Sequence, residues 1–64
     1  DHGAIEILTG TSSYRVMIFD LSGRLVKQER LQGNERYSLE NGIYTVVMED
    51  SISGKQSVYK ASVY

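Results

Sequence analysis

The chain reads as an all-β domain, an antiparallel sandwich or barrel of short strands, and three observations lead there. Glycine recurs at positions 10, 23, 33, 42 and 54 with no proline anywhere, close to the turn spacing of about 8–12 residues in such folds. The stretches between glycines are rich in β-branched and aromatic residues, which suit a pleated, half-buried surface. Within those stretches apolar residues alternate, the period of a strand with one buried face.

Six segments carry the alternation. Residues 4–9 place Ile5 and Ile7 on one face. Residues 14–20 set Tyr14, Val16 and Ile18 against Arg15, Met17 and Phe19. Residues 24–29 are polar apart from Leu25 and Val26, and residues 35–39 put Tyr37 and Leu39 together. Residues 43–49 set Tyr44, Val46 and Met48 against Ile43, Thr45 and Val47. Residues 58–64 align Tyr59, Ala61 and Val63. A helix over residues 25–31 is the one competitor, since Leu25 and Gln28 fit its spacing, but only Ser22 is in reach as an N-cap.

Two turns are chemically specified. Asp20-Leu21-Ser22-Gly23 has Asp first and Gly fourth, as a type I turn prefers, and should join residues 14–20 to 24–29 as a hairpin. Asn41-Gly42 is the strongest short turn dipeptide and directly precedes the most β-prone run. Residues 50–54 look mobile, and residues 1–3 are expected to fray.

Length and composition exclude much. Sixty-four residues make one domain, here spanning residues 1–64, burying roughly 6,300 Å² on folding. That burial contributes roughly 95 kcal/mol, and ordering the chain costs about the same. With no cysteine, neither a disulfide nor a cysteine zinc site can add to that margin. Seven basic and eight acidic residues give a net charge of −1, too balanced for a nucleic-acid footprint. No apolar run approaches the ~20 residues of a membrane span. A small module, one part of a longer polypeptide, fits these features.

No catalytic, metal or cofactor site is expected. The only imidazole is His2, at a terminus, so no Ser-His-Asp arrangement assembles. Glu49 and Asp50 fall on opposite faces of a strand and read as gatekeeping charges. Asp50, Ser51 and Ser53 offer a cation oxygens but only one carboxylate, thin for calcium. Arg15, Arg24, Lys27, Arg30 and Arg36 are interspersed with Glu29, Glu35 and Glu40, a solvated mixed-charge surface rather than an anion groove. Tyr14, Tyr37, Tyr44 and Tyr59 read as core side chains with hydroxyls at the rim.

One feature asks for more. Met17, Phe19, Ile43 and Val47 face away from the assigned core, where a half-solvated sheet is normally polar. They form a candidate docking patch, unless another part of the precursor covers them or the sandwich buries both faces.

Three runs then carry a resemblance. Val16-Met17-Ile18-Phe19-Asp20-Leu21-Ser22-Gly23-Arg24-Leu25-Val26 is similar to the v-x-I-Y/F-D-x-x-G-R-x-V hairpin of the C-terminal sorting domains (type A) of the Bacteroidetes type IX secretion system. Leu39-Glu40-Asn41-Gly42-Ile43-Tyr44-Thr45-Val46-Val47 resembles that family's L-x-x-G-I/V-Y-x-V segment. Tyr59-Lys60-Ala61-Ser62-Val63 looks like its closing strand. The family's opening Asn-Pro element and terminal basic residue have no counterpart here.

The resemblance implies an immunoglobulin-like antiparallel β-sandwich of six to seven short strands. It implies a non-catalytic secretion signal, with translocon components, an outer-membrane sortase and the preceding cargo domain as partners. Transit through the periplasm to the outer membrane, cell surface or medium follows from it. Asp20, Gly23, Arg24, Gly42, Tyr44 and Lys60 match the family motifs. Gly23, Gly42 and Tyr44 suit folding roles, while a charge at Lys60 in a terminal strand suits recognition. The alternative is an immunoglobulin-like accessory, spacer or binding module of a larger secreted protein. The absence of tryptophan and the inward tyrosines disfavour a glycan-binding platform.

Overall fold

Alternation along the chain produces strands almost end to end. The structure, a computed structural model, describes residues 2–64, with side chains from Gly3 onward. Strand β1 spans His2–Phe19, β2 Leu25–Glu40, β3 Gly42–Asp50 and β4 Gln56–Val63. They form one antiparallel sheet in the order β2-β1-β3-β4. The all-β expectation holds, and residues 25–31 are strand rather than helix. Of the residues expected to fray, β1 already includes His2 and Gly3, and residue 1 lies outside the described residues.

Four strands replace the expected six. Residues 4–9 and 14–20 belong to one long strand, and so do 24–29 and 35–39. The reason is what the glycines do. Gly10 and Gly33 take positive φ, 63° and 100°, yet they bend the strands instead of reversing them. Leu8 pairs with Asn34 and Ser13 with Gln32, so residues 9–12 stand against Gly33 alone. This is an enlarged bulge, and bulges turn a strand sharply. Side chains repair the interrupted ladder: the Gly33 N–H donates to Thr9 Oγ1 (2.8 Å), whose own hydroxyl donates to the Gly33 carbonyl. The Thr9 N–H donates to Asn34 Oδ1 (3.2 Å).

The bend folds the sheet over itself. Residues 3–8 of β1 and 34–40 of β2 make a two-stranded wing, while 13–19 of β1 run between β2 and β3. Both parts share one core of Ile7, Val16, Ile18, Leu31, Tyr37, Tyr44, Val46 and Val63. The wing closes tightly on β4 at one end. A Cβ on Gly3 would stand 2.6 Å from Val63 Cγ1 and 2.8 Å from the Tyr64 carbonyl oxygen, so only glycine allows that approach.

The turn expected at Asn41-Gly42 is a bend at Asn41 that does not join neighbouring strands. Strands β2 and β3 are not neighbours, and positive φ occurs only at Gly10, Gly23, Gly33 and Gly54 among the described residues. Asn41 is a one-residue bend that carries the chain across β1.

Candidate docking site

The Asp20 turn forms as its residues predict. The Gly23 N–H donates to the Asp20 carbonyl (3.0 Å), the Asp20 N–H to the Arg24 carbonyl (2.9 Å), and Gly23 takes φ 90°. Asp20 Oδ1 accepts three bonds, from Ser22 Oγ (2.7 Å), the Arg24 N–H (2.9 Å) and the Ser22 N–H (3.0 Å). These donors, the Ser22 hydroxyl first, hold its carboxyl below the usual range because each favours the charged form. The same device recurs at Asp50, whose Oδ1 accepts the Ile52 (2.8 Å) and Ser53 (3.1 Å) N–H groups, with Gly54 at positive φ. Residues 50–54, mobile-looking in sequence, are thus a hydrogen-bonded turn.

Tyr44 anchors the crossing at Asn41. Its ring is buried, and its hydroxyl donates to the Glu40 carbonyl at 2.7 Å, tying β3 back to the end of β2. A shallow depression of about 380 Å³ joins Asp20, Leu21 and Ser22 to residues 40–44. Three motif residues from distant sequence positions, Asp20, Gly42 and Tyr44, therefore meet at one end of the molecule, with Gly23 and Arg24 completing the adjoining turn.

Lys60 lies elsewhere. It pairs with Thr45, which pairs with Phe19, so it stands on the outer face in the row of the apolar patch. That face gathers the rest of the predicted patch: Met17 is opposite Val47, and Ile43 is two positions from Thr45 on the same side of β3. Sequence reading missed two members. Val58 is opposite Val47 and 65% exposed, and Leu25 is opposite Phe19 and also exposed. Alternation through Tyr59, Ala61 and Val63 already placed Val58 outward, but strand order was needed to set it beside Val47. The face ends at an Arg15–Glu49 ion pair of 2.8 Å, with Arg30 directly opposite Arg15 on β2.

Inside, Tyr37 contrasts with Tyr44. Its buried hydroxyl lies near the Glu29 carboxylate but outside hydrogen-bond geometry. Burial first, and then the carboxylate of Glu29, push its pKa up to about 12. Among the described residues no group of three or more His, Cys, Asp or Glu side chains is placed to hold a metal ion. Among the described residues no helix is long and apolar enough to cross a membrane.

The family model of the secretion system C-terminal sorting domain matches residues 2–63. The chain belongs to this type IX sorting family. No curated protein and no solved structure is significantly similar to it. Membership implies a C-terminal signal for type IX secretion and export to the cell surface or medium.

Proposed function

We propose that this sorting domain is a non-catalytic signal read as a folded surface by type IX translocon components, and that it directs attachment of its cargo at the cell surface. The observation that carries the reading is the family match over residues 2–63, taken with the meeting of Asp20, Gly42 and Tyr44 at one end. The docking surface is the outer face of Met17, Phe19, Ile43 and Val47, extended by Val58 and Leu25, with Lys60 in its row. Ile43, Leu25 and Val58 are exposed there while Met17, Phe19 and Val47 are half-buried, and apolar patches open to solvent are sites of partner contact.

The finer fold assignment, an immunoglobulin-like sandwich, is supported by the Tyr44–Glu40 bond. A tyrosine bonding back to backbone a few residues upstream is the corner device of such sandwiches. A wing folded over a four-stranded sheet is an incomplete version of the two layers.

The experiment is export of a passenger carrying a Sec signal and this domain at its C-terminus, in a type IX-competent bacterium. The passenger is expected outside the cell or on its surface. Phe19→Ser, with its fold checked by circular dichroism, is expected to leave it in the periplasm. Periplasmic retention of the unmodified fusion overturns the signal reading, and normal export of folded Phe19→Ser overturns the outer face as docking surface.

A further inference from the structure

Tyr59 stands opposite Val46, so its side chain points to the inner face of the sheet. Val46 is 3% exposed and Tyr59 55%. The difference lies in what covers them. The wing has two strands and the sheet beneath it four, so part of the inner face stays open. A groove of about 410 Å³ runs where the cover stops, with residues 5–9 of β1 as one wall and Met48, Tyr59 and Ala61 among the residues opposite. No residue of β2 lines it. The wall is therefore the β1 edge that faces away from β2, and along residues 3–8 that edge has no ladder partner among the described residues.

An unpaired edge presents N–H and C=O groups at strand spacing and is a template for another strand. The groove beneath it is mostly apolar. Glu6 is the one charged residue lining it, and Glu6 makes no ion pair among the described residues. We propose that residues 3–8 of β1 accept an extended segment of the recognising protein by strand addition. Apolar side chains at alternate positions of that segment cover Met48 and Tyr59, and one basic side chain meets Glu6. This rests on the reading that a translocon component recognises the folded domain, and it names the edge and the chemistry used. A second copy of the chain fits less well, because pairing two β1 edges brings Glu6 towards its own copy, and facing like charges oppose pairing.

The test uses the 15N-labelled domain and an acetylated octapeptide of alternating valine and threonine with one central lysine. Expected are saturable shifts confined to residues 3–9, Met48 and residues 57–61, slowed amide exchange along residues 3–8, and a Kd below about 1 mM. Ser57→Arg places a charged side chain in the groove from an exposed position, and Glu6→Gln removes the groove's one charge without setting a like charge opposite Arg36. Each is expected to weaken binding about tenfold with an unchanged melting temperature. The same peptide N-methylated at alternate residues, unable to complete the ladder, is expected not to bind. Shifts elsewhere, no saturation by about 1 mM, equal binding of the N-methylated peptide, or a dimer formed through the groove overturn the proposal. In the export assay, normal secretion of folded Ser57→Arg overturns the groove while leaving the signal reading intact. Failure of the unmodified fusion to be exported defeats the signal reading, and the peptide titration still decides the groove.

Discussion

Strand β1 lives in two environments. Residues 14–19 are flanked by β2 and β3 and contribute Val16 and Ile18, both essentially inaccessible. Residues 3–8 are paired on one side only, and of their apolar side chains only Ile7 is fully buried. One continuous strand thus supplies both the centre of the fold and an open edge. The lesson is that one strand can be flanked on both sides in one half and open along one edge in the other, with the Gly10–Gly33 bend as the boundary.

The largest effects should come from the flanked half. Ile18→Ala is expected to cost about 2–5 kcal/mol, since it removes buried methyl groups where neighbours on both sides resist collapse. Ile5→Ala, on the half-covered wing, should cost about 1–2 kcal/mol. Urea midpoints of the two variants measure the contrast, and equal losses would erase it.

The boundary itself is next. Gly33→Ala meets nothing closer than the Gly10 carbonyl oxygen at 3.9 Å, but its φ is 100°. Backbone strain alone should cost about 1–2 kcal/mol. Amide exchange should speed up in the wing before it does in residues 14–19.

The two buried tyrosines sharpen the comparison at the smallest scale. Tyr44→Phe loses the bond to Glu40 and should cost about 1 kcal/mol. Tyr37→Phe removes a buried hydroxyl without a partner and should be neutral or slightly stabilising. Alkaline titration separates them further. Because the folded Tyr37 pKa is about 12 against about 10 unfolded, the folded state binds more protons between those values. Stability should be complete below about pH 10 and fall as pH rises towards 12, by roughly 2–3 kcal/mol at most. Tyr37→Phe should remove that fall, and a fall that persists would assign it to another group.

Much of this was legible in the residues. Alternation placed Tyr14, Val16 and Ile18 inward and Met17 and Phe19 outward, because a strand's two-residue period leaves no other arrangement. The Asp20 turn was legible because its bonds lie within five residues. Gly10 and Gly33 misled, since glycine spacing marks positive φ and does not say whether the chain reverses or only bends. Asn41-Gly42 marked a change of direction but not its destination: the crossing to β3 depends on β1 lying between, a fact of strand order. The alignment of Val58 with Val47, and the exposure of inward-facing Tyr59, likewise depend on which strands lie side by side. Lys60 was singled out from the motif, but its place in the row of Phe19 needed the β1–β3–β4 register.

The central claim, that the folded domain itself is the export signal, is tested most directly by comparing two fusions in one type IX-competent strain. One carries the native domain and the other carries Ile18→Ala together with Val16→Ala, which should unfold it while leaving the outer face and turn residues in the sequence. The account expects the native fusion at the cell surface or in the medium and the unfolded one in the periplasm. Equal export of both would show that a linear motif suffices and would contradict it.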